Sequence, residues 1–210
     1  MKFLLPKIYP ITDRRLSGMP HAELIRQLAR GGASLIQVRE KGLPSGEFLA
    51  MARDAVAAGR ESDVKIIIND RVDIAMMSGA AGVHLGQNDL PPEAAREILG
   101  DAAIIGYSTH SVEQAAAAAK MPIDYIAIGP IYPTDTKEDT EPVIDIEGIA
   151  AVRAAIGGIP LVAIGGISNS RISGVLAAGA DSVAMISALY GDNSDIPSRL
   201  SSLIGIANNI

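Results

Sequence analysis

The chain has 210 residues, 48% of them apolar but only 3% aromatic, so a sizeable core has to be built from Ala, Ile, Val, Leu and Met. It has no cysteine, which excludes disulfides, thiol catalysis and thiolate metal sites. A net charge of −6 without a basic run argues against nucleic acid and anionic membrane as partners, yet allows a phosphorylated small molecule wherever a few cations converge.

The first apolar stretch is broken by Pro6 and is too short for the core of a signal peptide. No later stretch reaches spanning length without charge, so a cytoplasmic protein is expected. From residue 7 onward, strand and helix alternate. Residues 7–12 read as the first strand, and 21–30 as a helix with Leu24, Ile25 and Leu28 at helical spacing, stopped by Gly31-Gly32. Residues 34–38 form the second strand, 45–59 the second helix, 64–68 the third strand and 72–77 the third helix. A short fourth strand at 82–85 precedes a helix at 92–99, with Pro91 and Pro92 at its first turn and Gly100 at its end. Residues 103–106 read as the fifth strand, and Ser111 opens an alanine-rich helix to Lys120. Glu113 stands only two residues after Ser111, so it does not complete a capping box. The sixth strand is 124–128 and its helix 146–156; the seventh is 160–164 with a helix at 169–178; the eighth is 181–185, with a last helix within 196–206.

Eight such units without a linker suggest one domain over residues 1–210. Continuous Ile/Val/Ala strands are those of parallel sheets buried on both faces. A (β/α)8 TIM barrel fits best, with a doubly wound open sheet as the alternative. A barrel predicts functional groups just after the strands. The polar motifs fall there: Thr12-Asp13, Arg39-Glu40-Lys41, Asn69-Asp70, the run from Gly86 to Asp89, the run from Ser108 to His110, Thr134 to Lys137, Gly165-Gly166 and Ser187.

Their chemistry points to phosphate. Arg39 offers a planar fork and Lys41 a point charge, and alternation sets both on one side. A surface pair with Glu40 would be worth little and would not need both cations. Asp70 and Asp89 follow neighbouring strands, ~5 Å apart, so they can share one Mg2+ completed by water and phosphate oxygens. Otherwise Asp70 caps a helix and Asp89 is solvated. Asn69 can donate to a phosphate oxygen. His84 and His110 have no further His or Cys beside them and read as packed or hydrogen-bonded, not as zinc ligands. Gly165-Gly166 and Ile186-Ser187 occupy the usual phosphate position of such a barrel. After the sixth strand, Pro130 and Pro133 stiffen a loop whose Thr134, Thr136 and Lys137 can hold a phosphate. The plainer reading is a solvated loop in which Lys137 balances Asp135, Glu138 and Asp139.

Taken together, YPITD, QVREK, IINDRVDIA, GVHLGQND, GYSTH, DYIAIGPIYPTDTK, VAIGGI and SVAMISAL resemble thiamine phosphate synthase along nearly the whole chain and in order. The resemblance implies a (β/α)8 barrel that joins 4-amino-2-methyl-5-hydroxymethylpyrimidine diphosphate to 4-methyl-5-(2-hydroxyethyl)thiazole phosphate with Mg2+, releasing pyrophosphate. It implies that Arg39, Lys41, Asn69, Ser108 and Lys137 hold the diphosphate, that Asp70 and Asp89 hold Mg2+, and that Gln37 faces the pyrimidine. Thr134, Thr136, Gly166, Ile186 and Ser187 would hold the thiazole phosphate. Arg39, Lys41, Ser108 and Lys137 would be catalytic, acting on a diphosphate that departs before the thiazole nitrogen attacks. Asn88, Asp145 and Glu147 depart from the family's usual residues. A thiazole tautomerase on the same barrel is the near alternative, but the paired REK, ND and GQxD features favour the synthase. A non-catalytic phosphate-binding barrel would not need two carboxylates. A homodimer is left open.

Overall fold

Strands buried on both faces have to be covered on both, and a closed barrel inside a ring of helices does this. The computed structural model describes residues 4–134, 142–190 and 195–209. Its strands are β1 (Ile8–Thr12), β2 (Leu35–Val38), β3 (Lys65–Asn69), β4 (Gly82–Leu85), β5 (Ile104–Thr109), β6 (Tyr125–Ile128), β7 (Leu161–Ile164) and β8 (Ser182–Met185). Each pairs in parallel with the next, and β8 returns to β1 to close the barrel. The open-sheet alternative is thereby excluded.

The helices are α1 (Arg14–Ser17), α2 (His21–Arg30), α3 (Ser45–Glu61), α4 (Val72–Ser78), α5 (Pro92–Leu99), α6 (Val112–Ala118), α7 (Asp145–Ile156), α8 (Ile172–Ala177) and α9 (Ile196–Asn208). Helix α2 buries Leu24, Ile25 and Leu28, as its spacing predicts. None of the described helices is long and apolar enough to cross a membrane.

Three local details differ from the sequence reading. Strand β5 does not stop at Gly106 but runs on to Thr109, pairing Ser108 with Ala127 and Thr109 with Ile128. Ser108 therefore stands on a rigid strand rather than on the loop beyond it. Gly106 is not a terminator: a Cβ there would lie 2.0 Å from Cζ of Tyr125, so its missing side chain makes room for that ring. The short helix α1 has no counterpart in the predicted elements. Asp13 caps it, its Oδ1 accepting from the Arg15 and Leu16 amides at 2.9 and 3.1 Å. Finally, Ser111 caps α6 through the backbone of Gln114, the residue three positions on. The Gln114 amide donates to Ser111 Oγ at 3.2 Å, and Gln114 Oε1 accepts from the His110 amide at 2.7 Å.

The N-terminal face is closed by two similar arginine clamps. Arg96 pairs with Asp124 at 2.8 Å and donates to the Ala103 and Pro122 carbonyls. Arg153 pairs with Asp181 and donates to the carbonyls of Gly157, Ile159 and Gly179. In both clamps the carboxylate also accepts a strand amide, from Ile105 or Leu161. These contacts tie helices to strands on the face away from the polar motifs.

Candidate active site

Alternation along the strands turns every second side chain into the barrel. Tyr9, Ile11, Gln37, Asn69, His84, Ser108, Tyr125, Ala127, Val162, Ile164, Ala184 and Ile186 thus line one cleft of about 610 Å³ at the C-terminal mouth. Its rim adds Arg14 and Arg15, then Arg39, Glu40 and Lys41, then Asp70 and the run from Gly86 to Asp89. Seven strand-end expectations therefore meet in one place: Gln37, Arg39, Lys41, Asn69, Asp70, Asp89 and Ser108, joined by Ile186. Thr134, Gly166 and Ser187 follow β6, β7 and β8 on the same face but do not line this cleft. Thr136 and Lys137 lie outside the described residues.

The rim charges sort themselves. Glu40 is engaged by other groups than the two neighbouring cationic side chains: its Oε2 meets Arg14 Nη1 at 3.4 Å and His21 Nε2 at 3.3 Å, and its Oε1 accepts from the Lys41 amide at 3.1 Å. His21 is buried, and burial lowers its pKa against the pull of Glu40. Among the described residues, Arg39 and Lys41 have no carboxylate ion pair, which leaves both cations for an anion from outside. The Arg39 amide donates to Thr12 Oγ1 at 3.3 Å, anchoring the strand end that carries them.

Asp70 and Asp89 face each other. The Asp70 carboxyl is pushed from 3.8 up to about 6, chiefly by burial, then by the charge of Asp89 and a hydrogen bond with it; Lys41 and Arg39 pull it back down. Two carboxylates crowded together in this way are a site short of positive charge. Asp70 is not the cap of α4, whose N-cap residue is Arg71 and lacks a side-chain cap bond. Its φ of 63° lies in the left-handed region, a conformation costing about 1–3 kcal/mol off glycine. The bond from its amide to the His84 carbonyl at 2.8 Å holds it there. On the other strand end, Asp89 Oδ2 accepts from the Gly86 amide at 2.6 Å, closing a tight turn. No group of three or more His, Cys, Asp or Glu is placed to hold a metal among the described residues. A metal here would need water or phosphate oxygens for the rest of its shell, which is how Mg2+ is held.

Beneath the rim runs a polar chain with no local sequence signal. Gln37 Nε2 donates to the Tyr9 hydroxyl at 3.4 Å, and the Tyr9 and Tyr125 hydroxyls are 3.1 Å apart. His84 Nδ1 meets the Tyr125 hydroxyl at 2.9 Å, and His84 Nε2 meets Ser108 Oγ at 2.8 Å. The His84 ring stacks on Tyr125, and Tyr9 meets Tyr125 edge-on. Burial raises both phenol pKa values, so these hydroxyls keep their protons. His84 is thus hydrogen-bonded, as expected, and so is His110, whose Nδ1 meets the Gly129 carbonyl at 2.6 Å.

The glycines after β7 are steric necessities. Both have positive φ, and a Cβ at Gly165 or Gly166 would press on Pro130 or on Tyr132 and Pro133. Arg171 donates to the Gly166 carbonyl at 3.2 Å and lies 4.0 Å over the Tyr132 ring. This packing joins the loop after β6 to the loop after β7.

Comparison with known proteins identifies close relatives. A family model described as thiamine monophosphate synthase matches residues 8–189. A thiamine-phosphate synthase of Clostridium novyi is 42% identical over 201 residues, covering 95% of this chain and 98% of that protein. One of Syntrophomonas wolfei is 43% identical over 185 residues, 88% of each. The solved structure of a thiamine phosphate pyrophosphorylase from Pyrococcus furiosus matches with a TM-score of 0.86 and 38% identity, covering 97% of this chain and 96% of that one.

Proposed function

Because this chain belongs to the thiamine monophosphate synthase family, we infer that it joins 4-amino-2-methyl-5-hydroxymethylpyrimidine diphosphate to 4-methyl-5-(2-hydroxyethyl)thiazole phosphate, giving thiamine phosphate and pyrophosphate in thiamine biosynthesis. The observation that carries the site assignment is one cleft holding both a cation pair, Arg39 and Lys41, without a salt bridge among the described residues, and a facing carboxylate pair, Asp70 and Asp89. A tautomerase or a plain phosphate-binding barrel has no need of the second pair.

In this reading the diphosphate lies between the ends of β2, β3 and β4. Arg39 and Lys41 hold its oxygens, Asn69 donates to it and Ser108 reaches it from β5. Gln37, deeper in the barrel, faces the pyrimidine. Asp70 and Asp89 would hold Mg2+, whose charge fits where their two carboxylates face each other. An ion held there would supply positive charge for the departing diphosphate. Arg39, Lys41 and Ser108 stabilise the negative charge on that leaving group, which is largest in the transition state. Lys137, Thr134 and Thr136 from the loop after β6, with Gly166, Ile186 and Ser187, serve the thiazole phosphate and the leaving group. Ile11, Ala127, Val162 and Ala184 give the cleft apolar walls, which keep water from a carbocation-like methylene. No nucleophile–base pair is required for this chemistry.

Calorimetric titration of pyrophosphate tests the assignment. Binding should be tight with Mg2+ and weak without it, and Asp70→Ala should remove the difference. Tight metal-independent binding, unchanged in Asp70→Ala, would contradict it.

A further inference from the structure

The rim of the cleft holds one charge of the wrong sign beside its cations. Glu40 stands between Arg39 and Lys41 in the chain and lines the same cleft. A carboxylate so close to two cations is an anion already in place for them. Yet among the described residues it forms an ion pair with neither. Its Oε2 lies 3.4 Å from Arg14 Nη1 and 3.3 Å from His21 Nε2, and its Oε1 accepts from the Lys41 amide at 3.1 Å. The Glu40 side chain is only 17% exposed, so it is held rather than solvated. His21 opens α2 and is fully buried. Burial lowers its pKa from the usual imidazole value, so at neutral pH the ring is uncharged and has one hydrogen. A carboxylate only accepts, which puts that hydrogen on Nε2. The buried Nδ1, without a hydrogen-bond partner among the described residues, is then the bare nitrogen. Turned over, the ring would set a carbon against the carboxylate.

From this we propose that His21 and Arg14 are positioning residues for the anion site: they hold the Glu40 carboxylate off Arg39 and Lys41, so that both cations stay open to a phosphate-bearing ligand. The proposal rests on the reading of the cleft given above. The two anchors act differently. Arg14 offsets the charge of Glu40, but it is half-exposed, and such a pair is worth little alone. His21 adds no charge; its buried donor draws Oε2 to one fixed place. Glu40 therefore loses its freedom on folding, before any ligand arrives. Thr12 completes the arrangement on the backbone, its Oγ1 donating to the Gln37 carbonyl and accepting from the Arg39 amide, both at 3.3 Å. Residues of β1, α1 and α2 thus fix the segment from Gln37 to Lys41. Freed from its anchors, Glu40 would compete for the two cations at the high effective concentration of a tethered group.

The test is a double-mutant cycle on pyrophosphate binding, read by calorimetry with Mg2+ present. His21→Leu removes the donor without changing the charge, and should raise Kd about five-fold, the upper end for an exposed ion pair. Glu40→Gln keeps an acceptor but removes the competing charge. Alone it should tighten binding by less than about two-fold, because Arg14 already offsets that charge. In the His21→Leu background it should bring Kd back to within about two-fold of the unaltered protein. Packing damage at a buried site would not be repaired by neutralising a side chain at the rim, so this rescue separates positioning from mere structure. Binding left intact by His21→Leu, or a double variant as weak as His21→Leu itself, would overturn the proposal. So would an unaltered protein that does not bind pyrophosphate. If His21→Leu does not fold by circular dichroism, Arg14→Met takes its place: Glu40→Gln should then tighten binding more in that background than alone, and an equal gain would overturn the proposal. None of these readouts needs turnover. Pyrophosphate bound and rescued as expected, with no thiamine phosphate formed from the two substrates, would count against the function and not against the role of His21 and Arg14.

Discussion

Replacing Asp89 by Asn separates the charge of the carboxylate pair from its geometry. Asn keeps an oxygen to accept from the Gly86 amide, now at 2.6 Å, but removes the negative charge facing Asp70. Folding raises the Asp70 pKa from 3.8 to about 6. The folded state therefore binds that proton more tightly than the unfolded one. Its stabilising contribution is fully present below about pH 3.8 and is lost as pH rises through about 6. At neutral pH without metal, the ionised pair is a cost. The full rise would bound that cost at about 3 kcal/mol. Asp70 is open to solvent on one side, and screening reduces the figure to about 1 kcal/mol. In a chain of this size that is roughly 2–4 °C in Tm. Metal-free Asp89→Asn should thus melt about 2–4 °C above the unaltered protein at pH 7.5 and level with it at pH 4. Mg2+ with pyrophosphate should reverse the order at pH 7.5, because a bound ion stabilises only the protein that holds it. Differential scanning calorimetry at the two pH values reads all of this. A variant no more stable than the unaltered protein at pH 7.5, or one equally stabilised by Mg2+ and pyrophosphate, would refute the facing-carboxylate argument.

Other expectations follow from the same account. Lys137→Ala should lower kcat by about 100- to 1,000-fold in single-turnover kinetics and leave KM for the thiazole phosphate nearly unchanged; a normal rate at saturation would make Lys137 a binding residue only. Gly106→Ala forces Tyr125 from its place and should cost about 1–3 kcal/mol, roughly 2–12 °C in Tm, with a drop in kcat besides; an unshifted melting curve would show that β5 yields more easily than its packing implies. Arg153→Met removes a clamp on the far face. It should lower stability by about 1–3 kcal/mol without altering kcat, and an altered kcat at permissive temperature would mean that the far face communicates with the mouth.

The barrel and its rim were legible because each rests on a local rule. Short continuous apolar runs and turn residues mark the strands, and in such a barrel the residues just past a strand reach the mouth, which brought Arg39, Asp70 and Asp89 together. What was not legible depends on contacts distant in sequence. Tyr9 and Tyr125 share a hydrogen bond across 116 positions, and nothing near either residue announces it. Gly106 looks like a strand end until the Tyr125 ring opposite it is seen. The helix α1 is one turn long, too short for any periodicity, yet it brings Arg14 and Arg15 to the cleft. The Ser111–Gln114 cap could have been found from its three-residue spacing. Thr134, Gly166 and Ser187 follow their strands on the mouth side but do not line the cleft, because strand order gives the face of a residue and not its depth.

The claim on which the account turns is that this cleft makes thiamine phosphate by letting a metal-held diphosphate depart. Purified protein should be incubated with both substrates, with Mg2+ or with a strong chelator, and thiamine phosphate measured by conversion to fluorescent thiochrome phosphate. The account predicts product with Mg2+, none with the chelator, and none when either substrate is left out. Product formed at an undiminished rate in the chelator would contradict it.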